Sequence, residues 1–453
     1  MSHRFSTLLC TTALLLSSPS ARAQDPDAAF DTDPAVLAKV AELSAKLSGE
    51  DDLDAAEACS TLGEIGRPAV GALIAALGAE KPSTRVLAAL ALGEVGPDAS
   101  AAAPELLAAL KDGDAELQSA AAQALGKIGA DKEAALPALR AAMTGSDAGV
   151  ALQAAVALLT FEPDDPEAAK MLLDALQAPA LRQTAAAALP EHLPVVRRGL
   201  DAVAAALASE DRNVRGDAIR ALEALGADAA KAVPSLLHVV EADADAFVRL
   251  AAIRALGKIG APAAAAEKDL AAVLAQTNAP LSNEARARLE AAAKALNMSA
   301  GDGTVNLAVS AGAALVLIQP EHAEARAVLV ATVRDDTAKW WDRIEAAEAL
   351  ARLGEEKDAA IEVLLSLLLD PDRRCQSDAA HALARLRRAE GAEALAADLT
   401  FDNSFVREKA AVALSGLGPA AKAALPALEA AAKSPFDAKL RKAARAALAA
   451  VKG

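Results

Sequence analysis

Large aromatic side chains are almost missing from this 453-residue chain. Tyrosine is absent, tryptophan occurs twice, phenylalanine seven times, and aromatics make up 2% of the residues. A single deep core fills its centre with bulky groups. A chain this poor in them packs helices closely, layer on layer, with small residues and leucine at the contacts. Alanine, the strongest helix former, runs throughout, so the composition reads as all-helical. Positive charge is also short: 62 acidic residues against 46 basic ones leave a formal net charge of −16. A nucleic-acid binder needs the opposite, a basic footprint; an acidic surface keeps a chain soluble.

Cysteine is scarce, at three residues. Cys10 lies in the N-terminal apolar run. Cys59 and Cys375 stand more than 300 positions apart, so a bond between them requires the fold to close on itself; two buried small side chains is the simpler reading. The five histidines, His3, His192, His238, His322 and His381, include no pair at the three- or four-residue spacing of a helical metal site. Gly301-Asp302-Gly303 lacks the lysine and the spacing of a phosphate loop, and no Gly-x-Ser-x-Gly occurs. No catalytic constellation, cofactor site or metal site is expected. Asn297-Met-Ser299 formally fits a glycosylation acceptor.

Past the N-terminus, no apolar run is long enough to span a membrane. The N-terminus itself reads as a cleaved secretory signal over residues 1–23. Arg4 supplies the positive start, Phe5 to Leu16 the short apolar run, and Ala21-Arg22-Ala23 the small-x-small cleavage pattern, leaving Gln24 first in the mature chain. Residues 24–33 read as a flexible acidic lead. The expected location is periplasmic or extracellular.

What the chain has in abundance is repetition. In Asp243 to Ala263, Asp245 is placed to cap a helix. Val248, Ala252, Leu256 and Ile259 fall on one helical face. Gly260 is the residue that enters the conformation closing a helix, and Pro262 cannot continue it. The same punctuation recurs in Leu62-Gly-Glu-Ile-Gly66, Leu92-Gly-Glu-Val-Gly96, Leu125-Gly-Lys-Ile-Gly129, Leu222-Glu-Ala-Leu-Gly226, Leu350-Ala-Arg-Leu-Gly354 and Leu414-Ser-Gly-Leu-Gly418. The intervals are 30, 33, 97, 34, 94 and 64. The three long ones divide into three, three and two steps, so one period of about 32 residues covers all of them, the length of a helix-turn-helix unit. Pro104, Pro137, Pro234 and Pro426 each follow a landmark glycine by eight residues, with leucine two further on.

Val214-Arg215, Val248-Arg249 and Val406-Arg407 open second helices, followed by the alanine-rich face, the Leu-Gly-x-Ile-Gly close and Ala-x-Pro-x-Leu. This pattern resembles HEAT repeats, in particular the short HEAT-like repeats associated with phycobilin lyases, over nearly all of residues 34–453. The resemblance implies an α-solenoid of about 12–13 stacked antiparallel helix pairs, with second helices on the concave side and an arc on the order of 110–130 Å. Residues 160–200 and 297–320 depart from the pattern and read as degenerate units. Lys439 to Lys452 reads as a terminal cap with a solvated basic face.

Arg85, Arg215, Arg249, Arg343 and Arg407 share one slot in five units, with Asp211, Asp245 and Asp402 four or five residues upstream. They read as a structural ladder between units. Aligned on its leucine, Trp341 falls on Phe405 and Phe247 and reads as core. Trp340 falls on Ser404 and Ala246, which leaves it as the candidate partner contact. The functional expectation is an exported, monomeric, non-catalytic scaffold holding a protein or peptide on its concave surface. The alternative is a phycobilin-lyase-like enzyme or enzyme subunit.

Overall fold

Asp245 starts its helix as its position suggests. In the computed structural model its carboxylate accepts from the Phe247 amide at 2.9 Å. The helix runs Ala246–Ile259, and Gly260 ends it at φ 71°. Only glycine adopts that conformation without strain. The seven landmark glycines are the seven described glycines with positive φ, so the sequence punctuation and the backbone coincide. The structure describes residues 30–47, 49, 51–129, 131–274, 279–280, 304–354 and 357–453. The signal segment with Ala21, Ala23 and Gln24, the glycosylation acceptor and Gly301 to Gly303 lie outside the described residues. The lead is shorter than expected. Phe30–Thr32 forms a 3-10 turn, and Asp31 pairs with Arg67 at 2.9 Å.

Each unit is an outer helix, a short loop and an inner helix that most often has 14 residues. The inner helices are α1 (Asp52–Ile65), α2 (Pro82–Val95), α3 (Ala115–Ile128), α4 (Ala148–Phe161), α5 (Arg182–Ala188) and α6 (Arg212–Leu225), followed by α7 (Ala246–Ile259), α8 (Leu307–Ile318), α9 (Trp340–Leu353), α10 (Arg373–Arg385), α11 (Ser404–Leu417) and α12 (Ala438–Lys452). Neighbouring inner helices mostly lie along one another, while successive outer helices barely touch. The inner row is therefore the concave side, and the molecule is an α-solenoid. Small residues set how closely the row packs. A Cβ on Gly126 would sit 3.0 Å from the Ala157 Cα, and one on Gly257 only 2.9 Å from the Ala314 Cα. Tight inner joints and loose outer ones bend the stack, and the twelve units among the described residues complete about one turn, roughly 30° each.

The two irregular regions behave differently. Around residues 160–200 the inner helix is reduced to α5, a 3-10 turn at Leu189–Glu191 and the short helix Leu193–Arg198. There α5 lies along α6 but barely touches α4. Around 297–320 the expectation needs correcting. Leu307–Ile318 is a full inner helix, buried except at Leu317, and it packs directly on α7. Between Gly260 and Gly354 the stack therefore takes two steps, not three. Ala279–Pro280 and Thr304–Val305 pair antiparallel on either side of residues 281–303. The two longest apolar helical stretches, Pro82–Ala109 and Ser404–Ala431, each bend at a positive-φ glycine, Gly96 and Gly418. Neither half reaches the ~20 residues that a bilayer span requires.

The arc is not open. The first turn of α12 meets the last turn of α1: a Cβ on Gly66 would sit 2.6 Å from the Ala438 Cβ. Arg441 Nη2 donates to the Ile65 carbonyl at 3.4 Å, and its guanidinium stacks 4.5 Å from the Phe30 ring centroid. Lys439 pairs with Glu94 at 3.0 Å. At regular joints, facing residues hold nearly matching positions in their helices, as in the Glu94–Lys127 pair of α2 and α3. At the seam the start of one helix meets the end of the other, a stagger of about ten residues or ~15 Å. The solenoid is thus one superhelical turn whose ends touch like a split washer. The expected solvated cap is corrected accordingly: α12 packs along α11, with Ala444, Ala447 and Val451 buried, and in its first turn it also meets α1, where Arg441 is 1% exposed.

Candidate functional site

On an inner helix the solvent-facing side chains recur at spacings of four and three, because the other faces pack on neighbours. On α9 that stripe is Trp341, Glu345, Glu348 and Arg352. It forms one wall of a cleft of about 400 Å³ that extends from α6 across α7 and α8 to α10. α8 lies sunk beneath it, since Gly257 and Ala314 let α7 and α8 approach closely. Side chains from α7 and α9 meet above it. Arg254 holds Glu345 through two bonds, at 3.1 and 2.9 Å, and the Ser310 hydroxyl donates to Glu345 at 2.8 Å. From the other side, Arg385 holds Glu348 at 2.8 and 2.9 Å, and Arg352 donates to it at 2.6 Å. Burial would raise the Glu348 carboxyl, but Arg385, Arg352 and Lys258 outweigh it and keep it below its usual range. Burial raises Asp378, against Arg385, Arg374 and Lys409. Leu317 and Trp341 supply exposed apolar surface at the cleft.

The expectation that Trp341 is core is corrected. Trp340 packs against the core, while Trp341 is exposed, with its ring edge-to-face on Trp340 at 5.2 Å and Lys339 Nζ 5.4 Å away. Trp340 is half-buried and lines the cleft beside Trp341. The alignment of Trp341 with Phe405 holds, but that slot faces the lumen: Phe405 is 60% exposed.

The arginine series stays inside the joints, away from the cleft. Arg215 bonds Asp243 at 2.6 and 3.1 Å and the Ser209 and Glu210 carbonyls at 2.8 and 3.0 Å. Arg407 repeats this with Asp437 and the Phe401 and Asp402 carbonyls. Arg85 reaches Asp112 at 3.1 Å, Arg249 the Val240 carbonyl at 2.8 Å, and Arg343 Asp336 at 2.9 Å. Among the described residues, the acids met in the following unit are Asp112, Asp114, Asp243 and Asp437. Asp211 and Asp245 cap their own helices, and Asp402 offers only its carbonyl. Gln118 and Gln376 fill the same slot and bond the Asp112 and Asp370 carbonyls, each at 2.6 Å. Arg441, in that slot of α12, is a sixth member that the spacing contained and the sequence reading passed over.

Cys59 and Cys375 are buried free thiols, raised by burial to about 11 and about 12. Among the described residues no three His, Cys, Asp or Glu side chains are grouped to hold a metal ion. His192 is buried, with Nε2 unpartnered, beside a cleft of about 350 Å³ between the end of α4 and Pro194. His322 caps the outer helix Ala323–Arg334. His381 is half-buried on α10, and burial, Arg385 and Lys409 push it down to about 4.

Comparison with known proteins agrees with this architecture. The profile of the HEAT repeats matches residues 103–190, 200–297 and 361–449, more than half of the chain. That of the PBS lyase HEAT-like repeat matches residues 342–370. Among solved structures, an engineered protein is 23% identical, with 92% of this chain and 99% of that one covered, at a TM-score of 0.31. Kap121p bound to Pho4p is 15% identical over 96% of this chain at a TM-score of 0.39; the alignment covers 52% of Kap121p, so this chain spans about half its length. The complex of CpcE and CpcF of phycocyanin lyase from Nostoc sp. PCC7120 is 21% identical over 62% of this chain and 94% of that one, at a TM-score of 0.40. No curated protein matches the chain.

Proposed function

Because the chain belongs to the HEAT repeat proteins, we propose that it is an exported, non-catalytic scaffold that holds a protein or peptide against the inner face of its single superhelical turn. The observation that carries this reading is where apolar surface is left uncovered. Among the described residues nine large apolar side chains are exposed, and six of them, Leu53, Leu90, Leu317, Trp341, Phe405 and Val412, stand on inner helices. Apolar side chains gathered on a concave surface mark a docking face. Twelve inner helices spaced ~9 Å apart enclose a lumen on the order of 20 Å. That width admits an extended segment or one helix, 10–12 Å across with its side chains, rather than a folded domain. Export rests on Arg4, the apolar run Phe5 to Leu16 and the Ala21-Arg22-Ala23 site. The reading includes a monomer.

The test is to purify the mature chain from the exported fraction, sequence its N-terminus and identify what accompanies it. The expected result is a start at Gln24 and one stoichiometric partner. Trp341→Ala is expected to weaken that association at least tenfold, because an exposed aromatic anchor carries much of such an interface. It should leave the melting temperature within about 2 °C. A partner retained undiminished by Trp341→Ala moves docking off the inner cleft. A coloured preparation without a partner overturns the scaffold in favour of lyase-like chemistry.

A further inference from the structure

The inner cleft presents its two signs of charge unequally. Glu345 and Glu348 keep 19% and 15% of their side-chain exposure, whereas Arg254 and Arg385, which they hold, keep 51% each. Lys258, one turn beyond Arg254, and Arg352 are exposed as well. The carboxylates lie behind and the cations stand in front. The opposing groups at the mouth are Asp378, exposed, and Glu223, half-buried. Solvent therefore meets a locally cationic surface in a chain whose net charge is −16.

The cations are also ordered. Glu345 and Glu348 are one turn apart on α9, so the guanidiniums they hold converge on one helix face. Trp341 stands one turn before Glu345 on the same face. From the start of α9 upward, an occupant meets an exposed indole and then two guanidiniums whose orientation is fixed by bidentate bonds to their carboxylates. A fixed, planar guanidinium suits a carboxylate, which it can bond through two parallel N–H groups.

Resting on the docking reading above, we propose that the segment held in this cleft is an acidic peptide, whose carboxylates bond Arg254 and Arg385 and whose neighbouring apolar side chain lies on Trp341. The anchor sets register and the two guanidiniums select charge. A basic segment would meet like charge at the surface, with Glu345 and Glu348 already occupied behind it and only Asp378 and Glu223 at the mouth.

Trp340 and Trp341 are the only tryptophans in the chain, so intrinsic fluorescence of the full mature protein reports on this cleft. Three synthetic peptides of equal length serve as probes: alternating leucine–glutamate, leucine–glutamine and leucine–lysine. The glutamate peptide should shift the emission saturably, and raised salt should weaken it. Arg385→Gln should weaken its binding about tenfold. That change also strips a partner from Glu348, so Lys258→Gln, outside both ion pairs, provides the second variant; about threefold weakening is expected. Equal binding of the glutamine peptide would overturn the acidic selection and leave apolar docking standing. Preference for the lysine peptide would reverse the sign and overturn the proposal. If no peptide shifts the emission, the proposal and the cleft as docking site fall together.

Discussion

Against α11, the terminal helix α12 lies along its length; against α1, only its first turn touches. Both joints are organised by the same residue in the same slot. At the regular joint, Arg407 reaches Asp437 of the following unit, 7% exposed, and caps two carbonyls of its own loop. At the seam, Arg441 caps the Ser434 and Pro435 carbonyls in the same way, and it reaches across the gap to the first unit. Asp112 and Asp243 stand two residues before their helix caps; Gly49 holds that place in the first unit. Across the gap Arg441 donates to the Ile65 carbonyl and lies over the Phe30 ring. The comparison separates two ways of joining repeats. A regular joint is an ion-paired face between units that are also neighbours in the chain. The seam is a corner contact between units 376 residues apart, with nothing covalent nearby to hold the ends together. Repeat arrays are close to one-dimensional, each unit touching only its neighbours. The seam breaks that rule by coupling the first unit to the last.

Substitution at each joint should expose the difference. Arg407→Ala is expected to have the largest effect, about 3 kcal/mol lost on urea unfolding, because it strands a buried carboxylate. The radius of gyration should not change, since chain connectivity and the long apolar interface keep α11 and α12 together. Arg441→Ala should cost about 2 kcal/mol, as its charge-assisted bonds to the Ile65, Ser434 and Pro435 carbonyls are lost. It should enlarge the radius of gyration in small-angle X-ray scattering, because the split washer springs apart. Equal expansion in both variants would erase the distinction, and an unchanged Arg441→Ala would move the closure to other groups.

The sequence carried the regular joint and not the seam, for identifiable reasons. The glycine landmarks mark positive φ at all seven places, and a fixed period places each arginine next to its loop. Arg441 was in register too. Its partners across the seam belong to the far end of the chain, beyond any repeat argument, and a last helix ordinarily reads as a cap. The cleft was illegible for a related reason. Glu345, Glu348, Arg254 and Arg385 look like ordinary charges on helix surfaces; only the curvature that sinks α8 brings them together. The tryptophans turned on one residue of helix phase, about 100°. The slot shared by Trp341 and Phe405 was correctly matched, but its size was taken for burial when it faces the lumen.

A smaller effect comes from pH, and it should act on a regular joint alone. His381 stands where α10 meets α11. Burial, Arg385 on its own helix and Lys409 from α11 push it from 6.5 to about 4; Asp378 stands one turn before it on α10, and Arg385 is held by Glu348. The unfolded chain takes up this proton first, so the contribution is full above pH 6.5 and falls as pH drops towards 4. His381→Gln should flatten the stability loss across that window, measured by unfolding at several pH values. The radius of gyration of the folded protein should stay constant over the same window. Expansion on acidification would place the sensitive group at the seam instead.

The smallest expected energy belongs to Lys439 and Glu94, and it offers the sharpest readout. The pair crosses the seam at 3.0 Å with both side chains about half exposed, 50% and 51%, so Lys439→Ala should cost under about 1 kcal/mol. Proximity is what matters here, because carbodiimide joins a lysine to a carboxylate only when they touch. Glu94 also pairs with Lys127 on the adjoining α3, which supplies a control across a regular joint. Peptide mass spectrometry of the treated wild-type chain should find both links. In Arg407→Ala both should persist. In Arg441→Ala the Lys127 link should remain and the Lys439 link should vanish. Recovery of the Lys439 link at wild-type yield in Arg441→Ala would mean that the ends meet without that arginine, and that the seam is a property of the superhelical pitch rather than of its latch.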